Sequence, residues 1–200
     1  MYKSSIFFAC VQIILYFCKK IYIMLKTILD FPQPGIRFLD ITPFLLDPVE
    51  VKKAIEALST EVEKVSNGDQ VVVIGPEARG FIFGGMVAAH LGMPFFMLRK
   101  EGKLPNDGSQ VSFSATKEYG SSKFVVNMND LDELKAKGIC KVVILDDILA
   151  TGNTVLAIAD FFKEHGFEVL LVMNLIEITA LKGNELFVNN GYATYSYIKQ

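Results

Sequence analysis

Five short apolar runs, Gln70–Gly75 (QVVVIG), Pro94–Lys100 (PFFMLRK), Lys123–Met128 (KFVVNM), Lys141–Asp146 (KVVILD) and EVLLVMNLIEI from Glu168, constrain this fold more than any other feature. Each is rich in β-branched or aromatic residues and too short for a core helix, and none alternates cleanly with polar residues. Such strands are buried on both faces, which requires helices above and below a mostly parallel sheet. Segments of helical length separate several of the runs. In DPVEVKKAIEALSTEVEKVSNG, Asp47 is placed to cap, Pro48 stands at the first position and Glu50 completes a capping box. Val51, Ile55, Leu58, Val62 and Val65 then step along one face, and Asn67-Gly68 stops the helix. A second helix follows Gly75 and ends at a glycine. A third carries Val155, Ile158, Ala159 and Phe162 on one side and ends near His165-Gly166. Sheets of this kind bind ligands beyond the carboxyl ends of their strands, which singles out the residues after Gly75, Lys100 and Asp146. The segment Glu101 to Lys123 is polar, rich in Gly, Ser and Lys, and long for a connection, so a functional or mobile loop is expected there.

With 51% hydrophobic residues in 200, the chain can bury the core of one domain. The net charge of −2 and pI near 5.7 supply no general basic field, so nucleic acid is not an expected partner. Cys10, Cys18 and Cys140 form neither a CxxC pair nor a zinc-ligand pattern, which fits a reducing cytoplasm. Residues 1–24 stand apart as an apolar extension preceding a domain over 25–200. IFFACVQIILYF (Ile6 to Phe17) has Lys3 before it and Lys19-Lys20 after it, as a signal peptide would. It is shorter than a membrane span, is interrupted by Gln12 and lacks a small-x-small cleavage site, so no membrane association is expected. A packed helix, or a stretch upstream of a start at Met24, are the alternatives.

The densest chemistry is VVILDDILATGNT, Val142 to Thr154. It leaves a strand and opens a helix, so the backbone N–H groups of Ala150 to Thr154 lie where the helix dipole favours an anion. Thr151 and Thr154 add hydroxyls and Gly152 allows close backbone approach, the requirements of a phosphomonoester cradle. A P-loop is excluded, because GxxxxGK[ST] is absent. Asp146 and Asp147 beside such a phosphate would repel a second anion but accept hydrogen bonds from vicinal hydroxyls. Phosphate and diol together describe a ribose 5-phosphate.

VVILDDILATGNT resembles the phosphoribosyl pyrophosphate (PRPP) signature of the type I phosphoribosyltransferase family. DFPQPGIRFLDITPFLLDP, GPEARGFIFG, LRKEGKLP, KEYG and LIEITALKG narrow the resemblance to its adenine-specific branch, over roughly Ile28 to Gly183. The resemblance implies a type I phosphoribosyltransferase fold: α/β, a mostly parallel twisted sheet flanked by helices, with a flexible hood loop. It implies transfer of 5-phosphoribosyl from PRPP to N9 of adenine, giving AMP and pyrophosphate, in a homodimer. By the same resemblance Ala150, Thr151, Gly152, Asn153 and Thr154 would hold the 5′-phosphate, and Asp146 and Asp147 the ribose hydroxyls. Pyrophosphate would meet the backbone of Glu77, Ala78 and Arg79 and the Arg79 side chain, with Arg99, Lys100 and Lys103 adding charge, partly from the neighbouring subunit of the dimer. Mg²⁺ would arrive on PRPP and pyrophosphate and be held by no protein ligand directly. Glu118 would be the catalytic acid–base group near adenine N7, with Tyr119 beside it in a hood spanning Lys103 to Lys123 that excludes water. Adenine would stack on Phe38, contact the backbone of Arg37 and Leu39, and be covered by Ile178.

One departure stands inside the motif. Asn153 occupies the position of the family's usual second loop glycine. Asparagine tolerates positive φ, so the turn is expected to survive, with strain or altered PRPP affinity at this residue. A site for another purine base is the rival enzyme reading, disfavoured because NLIEITAL offers aliphatics where a 6-oxopurine site would offer a lysine and an aromatic. A PRPP-binding regulator is the other rival, disfavoured because no basic recognition helix precedes the domain.

Overall fold

A computed structural model describes residues 25–31, 33–117 and 120–200. The N-terminal extension lies outside the described residues, and so do Glu118 and Tyr119. The chain divides into two compact units, one up to Lys53 and one from Ala54 to Gln200.

In the first unit, β1 (Lys26–Leu29) pairs antiparallel with β2 (Arg37–Asp40), and the short helix α1 (Thr42–Leu45) follows. Asp30 turns the ribbon: its φ is +58° and its carboxylate accepts from the Gly35 N–H at 2.7 Å. Phe44 is fully buried. Helix α2 (Pro48–Ser66) begins as the sequence predicts. The Asp47 carboxylate accepts from the backbone N–H groups of Val49 (3.1 Å) and Glu50 (3.2 Å), two of the donors a helix start leaves orphaned. It buries Ala54, Ile55, Leu58 and Val62, and Asn67 (φ +49°) with Gly68 (φ +88°) ends it.

The second unit is built on a seven-stranded sheet in the order β5-β6-β4-β3-β7-β8-β9. The strands are β3 (Val71–Pro76), β4 (Phe95–Lys100), β5 (Gln110–Lys117), β6 (Gly120–Asn127), β7 (Lys141–Leu149), β8 (Glu168–Glu177) and β9 (Thr194–Lys199). The pairs β4-β3, β3-β7, β7-β8 and β8-β9 are parallel, while β5-β6 and β6-β4 are antiparallel. Helices α3 (Gly80–Leu91), α4 (Met128–Ala136), α5 (Asn153–Glu164) and α6 (Gly183–Asn189) join the strands. Val71–Ile74 and Val142–Leu145 are at most 1% exposed, as continuous apolar strands covered on both faces must be.

Two expectations change here. The segment Glu101–Lys123, read as a loop, contains β5 and the start of β6, an antiparallel ribbon whose register runs from Gln110↔Asn127 to Lys117↔Gly120. Its serines and lysines lie along a ribbon with one buried side, where Phe113 stacks on Phe161 of α5 at 4.3 Å and Ala115 is fully buried. The strand expected to end at Asp146 runs on to Leu149, because Ile148 and Leu149 continue the ladder with β8. The acidic pair therefore sits inside a strand end, and the ladder fixes its backbone.

Candidate active site

The turn after β3 is packed too tightly for any side chain at its two glycines. A Cβ on Gly75 would come within 2.6 Å of the Gly80 carbonyl oxygen, and one on Gly80 within 2.6 Å of the Pro76 ring. Glu77, Ala78 and Arg79 are held between these points; the Glu77-Ala78 peptide is cis, and the Glu77 N–H donates to the Leu98 carbonyl at 2.9 Å. The Glu77 carboxylate reaches the end of β4, accepting from the Lys100 backbone N–H at 2.9 Å and from Arg99 Nε at 3.3 Å. The Lys100 N–H first, and Arg99 beside it, hold the Glu77 carboxyl below its ordinary value. The Arg99 guanidinium also lies 5.8 Å from the Phe81 ring centre. Lys103 is exposed in the turn that follows, its N–H bonded to the Lys100 carbonyl at 3.1 Å.

Arg79 points the other way, to β7. Its Nε lies 2.6 Å from Asp147 Oδ2, and the Asp147 side chain is 6% exposed. Thus the turn after β3 and the acidic pair, far apart in sequence, form one charged cluster at the carboxyl ends of adjacent parallel strands. Asp146 Oδ1 accepts from the Asp147 N–H at 2.8 Å. Burial, then the charge of Asp147, pushes the Asp146 carboxyl well above the usual carboxylate range.

Immediately beyond, Ala150–Thr154 turns into α5. Gly152 caps the helix with φ +86°, where only glycine is unstrained. The Asn153 amide donates to Thr151 Oγ1 at 3.2 Å, tying the hydroxyl of the turn to the first residue of the helix. The loop rests on the start of α6: a Cβ at Gly183 would overlap the Ala150 carbonyl oxygen, and one at Gly152 would come within 3.3 Å of Phe187. The first N–H groups of α5 have no partners within the helix, an arrangement that could accept an anion.

Of the residues read as adenine contacts, Phe38 is half-buried in β2 with its ring edge-on to Phe31 at 5.2 Å, and Leu39 is buried. Arg37 pairs with Leu29 through the ribbon backbone. In the second unit, Ile178 is half-buried just after β8, its N–H bonded to the Leu149 carbonyl at 2.8 Å.

Residues 45–184 match the phosphoribosyl transferase domain family. The adenine phosphoribosyltransferase of Cutibacterium acnes is 41% identical over 162 residues, covering 81% of this chain and 85% of that one. The crystal structure of adenine phosphoribosyltransferase from Thermoanaerobacter pseudethanolicus superimposes with a TM-score of 0.74 at 35% identity, covering 91% of this chain and 99% of that one. The APRTase of Giardia lamblia complexed with 9-deazaadenine gives 0.75 at 33% identity, covering 88% and 94%. The chain belongs to the adenine phosphoribosyltransferase family. It is a pentosyltransferase with the type I phosphoribosyltransferase fold, as the signature around Asp146 and Asp147 implied.

Set against the family loop, Asn153 needs correcting. It is absent from the residues with positive φ and is the first residue of α5; the left-handed position is Gly152 alone. The turn survives because its second position is helical, a conformation open to ordinary L-residues, so no backbone strain resides at Asn153. Two residues escaped the sequence reading. The Glu77 carboxylate, considered only for its backbone, orders Arg99 and Lys100, and the acid in GPEARG was its one visible trace. Gly183, in the LKG after Ile178, props the cradle from behind, a contact between distant segments that no local pattern announces.

Proposed function

We propose that this pentosyltransferase makes AMP and pyrophosphate from adenine and PRPP. The observation that supports it best is the Arg79–Asp147 ion pair at 2.6 Å, which joins a turn suited to diphosphate with a strand end suited to a ribose diol. The cradle of Ala150–Thr154 would anchor the 5′-phosphate, and Asp146 and Asp147 the 2′- and 3′-hydroxyls. In this reading N9 of adenine bonds to C1 as the bond from C1 to the diphosphate oxygen breaks; the electron pair leaves with pyrophosphate, and the N9 proton is lost. Positive charge developing on the sugar would be stabilised by the acidic pair, and negative charge on the leaving group by Arg79, Arg99, Lys100 and Lys103. Phe38, the backbone of Arg37 and Leu39, and Ile178 are each proposed to contact the base. Glu118, with Tyr119 beside it, is proposed to manage the base proton, and the β5-β6 ribbon to act as a hood.

Among the described residues there is no group of three or more His, Cys, Asp or Glu able to hold a metal ion. Mg²⁺ is proposed to be carried by PRPP and pyrophosphate, whose oxygen donors suit a hard cation. When bound, it would neutralise charge on the leaving group. A homodimer, a cytoplasmic location, and a domain over 25–200 preceded by the 1–24 extension complete the reading. No helix among the described residues is long and apolar enough to cross a membrane. The deciding experiment measures AMP formation from adenine and PRPP, with and without Mg²⁺, against guanine, hypoxanthine and xanthine. Turnover of any of these three without adenine turnover would sink the assignment.

A further inference from the structure

The reading above leaves unused a row of polar side chains crossing β7, β8 and β9. Asp146 is in register with Asn174, and Asn174 with Ser196. Register partners on parallel strands share a face, roughly 4.8 Å apart. Asn174 is 0% exposed and Ser196 is 7% exposed, yet neither atom of the Asn174 amide has a hydrogen-bond partner, nor does the Ser196 hydroxyl. Met173 and Leu175, flanking Asn174, are fully buried, so an aliphatic side chain would be the ordinary choice at this depth. A buried amide without a partner destabilises a fold, and proteins keep such groups mainly where function uses them.

We propose that Asn174, backed by Ser196, is a positioning residue for Asp146, orienting the carboxyl that receives the ribose hydroxyls. The inference rests on the ribose reading of Asp146. One Asp146 oxygen already accepts from the Asp147 N–H, so the other needs orienting. An amide suits that task because it offers both a donor and an acceptor, and so can serve the carboxyl whether ionised or protonated. That versatility matters beside Asp146, whose surroundings favour the protonated form. Ser196, next along the row, would steady the amide from its far side.

The test compares AMP with 2′,3′-dideoxy-AMP by calorimetry in wild type, N174L and S196A across pH 5 to 9. The ratio of the two affinities isolates the diol and cancels titration of the phosphate. Wild type is expected to prefer AMP at least tenfold. N174L is expected to cut that preference to threefold or less with dideoxy-AMP affinity within twofold, and its thermal midpoint should be unchanged or raised, as removing an unpaired amide predicts. S196A should lose about twofold, and N174S, which keeps a donor and an acceptor, should recover part of the loss. A preference undiminished in N174L overturns the inference while leaving the ribose reading intact; N174A answers the same question if N174L does not fold. A wild type that does not distinguish the two nucleotides removes the ribose reading and this inference together.

Discussion

The two strand–loop–helix turns proposed to hold anions are built on opposite principles. The cradle after β7 uses backbone N–H groups, hydroxyls and one left-handed glycine, with no acid among Ala150–Thr154. The turn after β3 uses charged side chains that are already paired, Arg79 with Asp147 and Arg99 with Glu77. In the proposed reaction the 5′-phosphate is carried by substrate and product alike, so its holder has no reason to let go. Pyrophosphate is the group that departs. In that reading, acids that reclaim Arg79 and Arg99 would lower the affinity of the second site for its anion, an arrangement suited to release.

The strongest way to break this contrast is Arg79→Ala. It removes a cation from the developing diphosphate and leaves Asp147 buried without its partner. Losing one such electrostatic contact typically costs about 10²–10³ in rate, which is the expected fall in kcat/KM for PRPP. Stability should drop by about 2 kcal/mol in a denaturant titration, below the roughly 3–5 of a fully buried pair, because the Arg79 side chain is 39% exposed. Unchanged turnover would show that the turn does not hold the leaving group.

Asp146→Asn separates function from stability. It should reduce kcat/KM for PRPP about a hundredfold, since an amide oxygen is a weaker acceptor than a carboxylate. At pH 7 the variant should nonetheless melt higher than wild type. The Asp146 pKa is raised on folding, so the folded state binds more protons than the unfolded one. Its burden on stability grows as pH rises above the ordinary carboxylate value and disappears below it. The gain in melting temperature should therefore vanish near pH 4 and below; a gain independent of pH would point to another cause.

Gly152→Ala tests the cradle directly. A left-handed alanine costs about 1–2 kcal/mol, and its Cβ would crowd the Gly183 carbonyl oxygen at 3.2 Å. About tenfold weaker AMP binding is expected, with pyrophosphate affinity unchanged. Equal losses for both anions would mean that the two sites are not independent.

The parts of this architecture visible in the sequence were those carried by local chemistry. Asp47-Pro48 and Asn67-Gly68 marked both ends of a helix, and continuous apolar runs marked the parallel strands. The pairing of Arg79 with Asp147 was hidden, because 68 residues separate groups that meet only when β3 and β7 lie side by side. Strand β5 was missed for a different reason. QVSFSATK does alternate at Val111, Phe113 and Ala115, but serine and lysine mask the period until Phe161 supplies the surface it packs on. Strand β9 (TYSYIK) was not among the expected strands; its membership depends on β8 offering an edge. Of the proposed catalytic machinery, the acidic pair and cradle were legible as a contiguous motif, whereas the Glu77 carboxylate's hold on β4 required the third dimension.

Glu77→Gln should convert the second site toward the character of the first. The amide still accepts from the Lys100 N–H but no longer offsets the charge of Arg99. Pyrophosphate should then inhibit about three- to fivefold more strongly at pH 7, an effect on the order of 1 kcal/mol as expected for one partly exposed ion pair. The Glu77 pKa is lowered on folding, so its ionic contribution is present above the ordinary value and is lost as pH falls through the folded one. Wild type and variant should accordingly converge in acid. Weaker inhibition in the variant would mean that Glu77 serves the anion by ordering Arg99, with no part in its release.

The smallest effect is expected at the residue that most distinguishes this cradle from its relatives' sequence pattern. Asn153→Gly restores the usual double glycine, and were Asn153 strained, that change would stabilise the protein and tighten PRPP. Asn153 is instead helical and exposed, with its amide on Thr151 Oγ1. Glycine in a helix costs up to about 1 kcal/mol and less in the first turn, and the lost hydrogen bond is solvent-facing. PRPP affinity should therefore change by no more than about twofold, with a melting temperature equal or slightly lower. A rise in both would restore strain at Asn153 and make the cradle, like the turn after β3, a site whose tightness is held in check by one of its own residues.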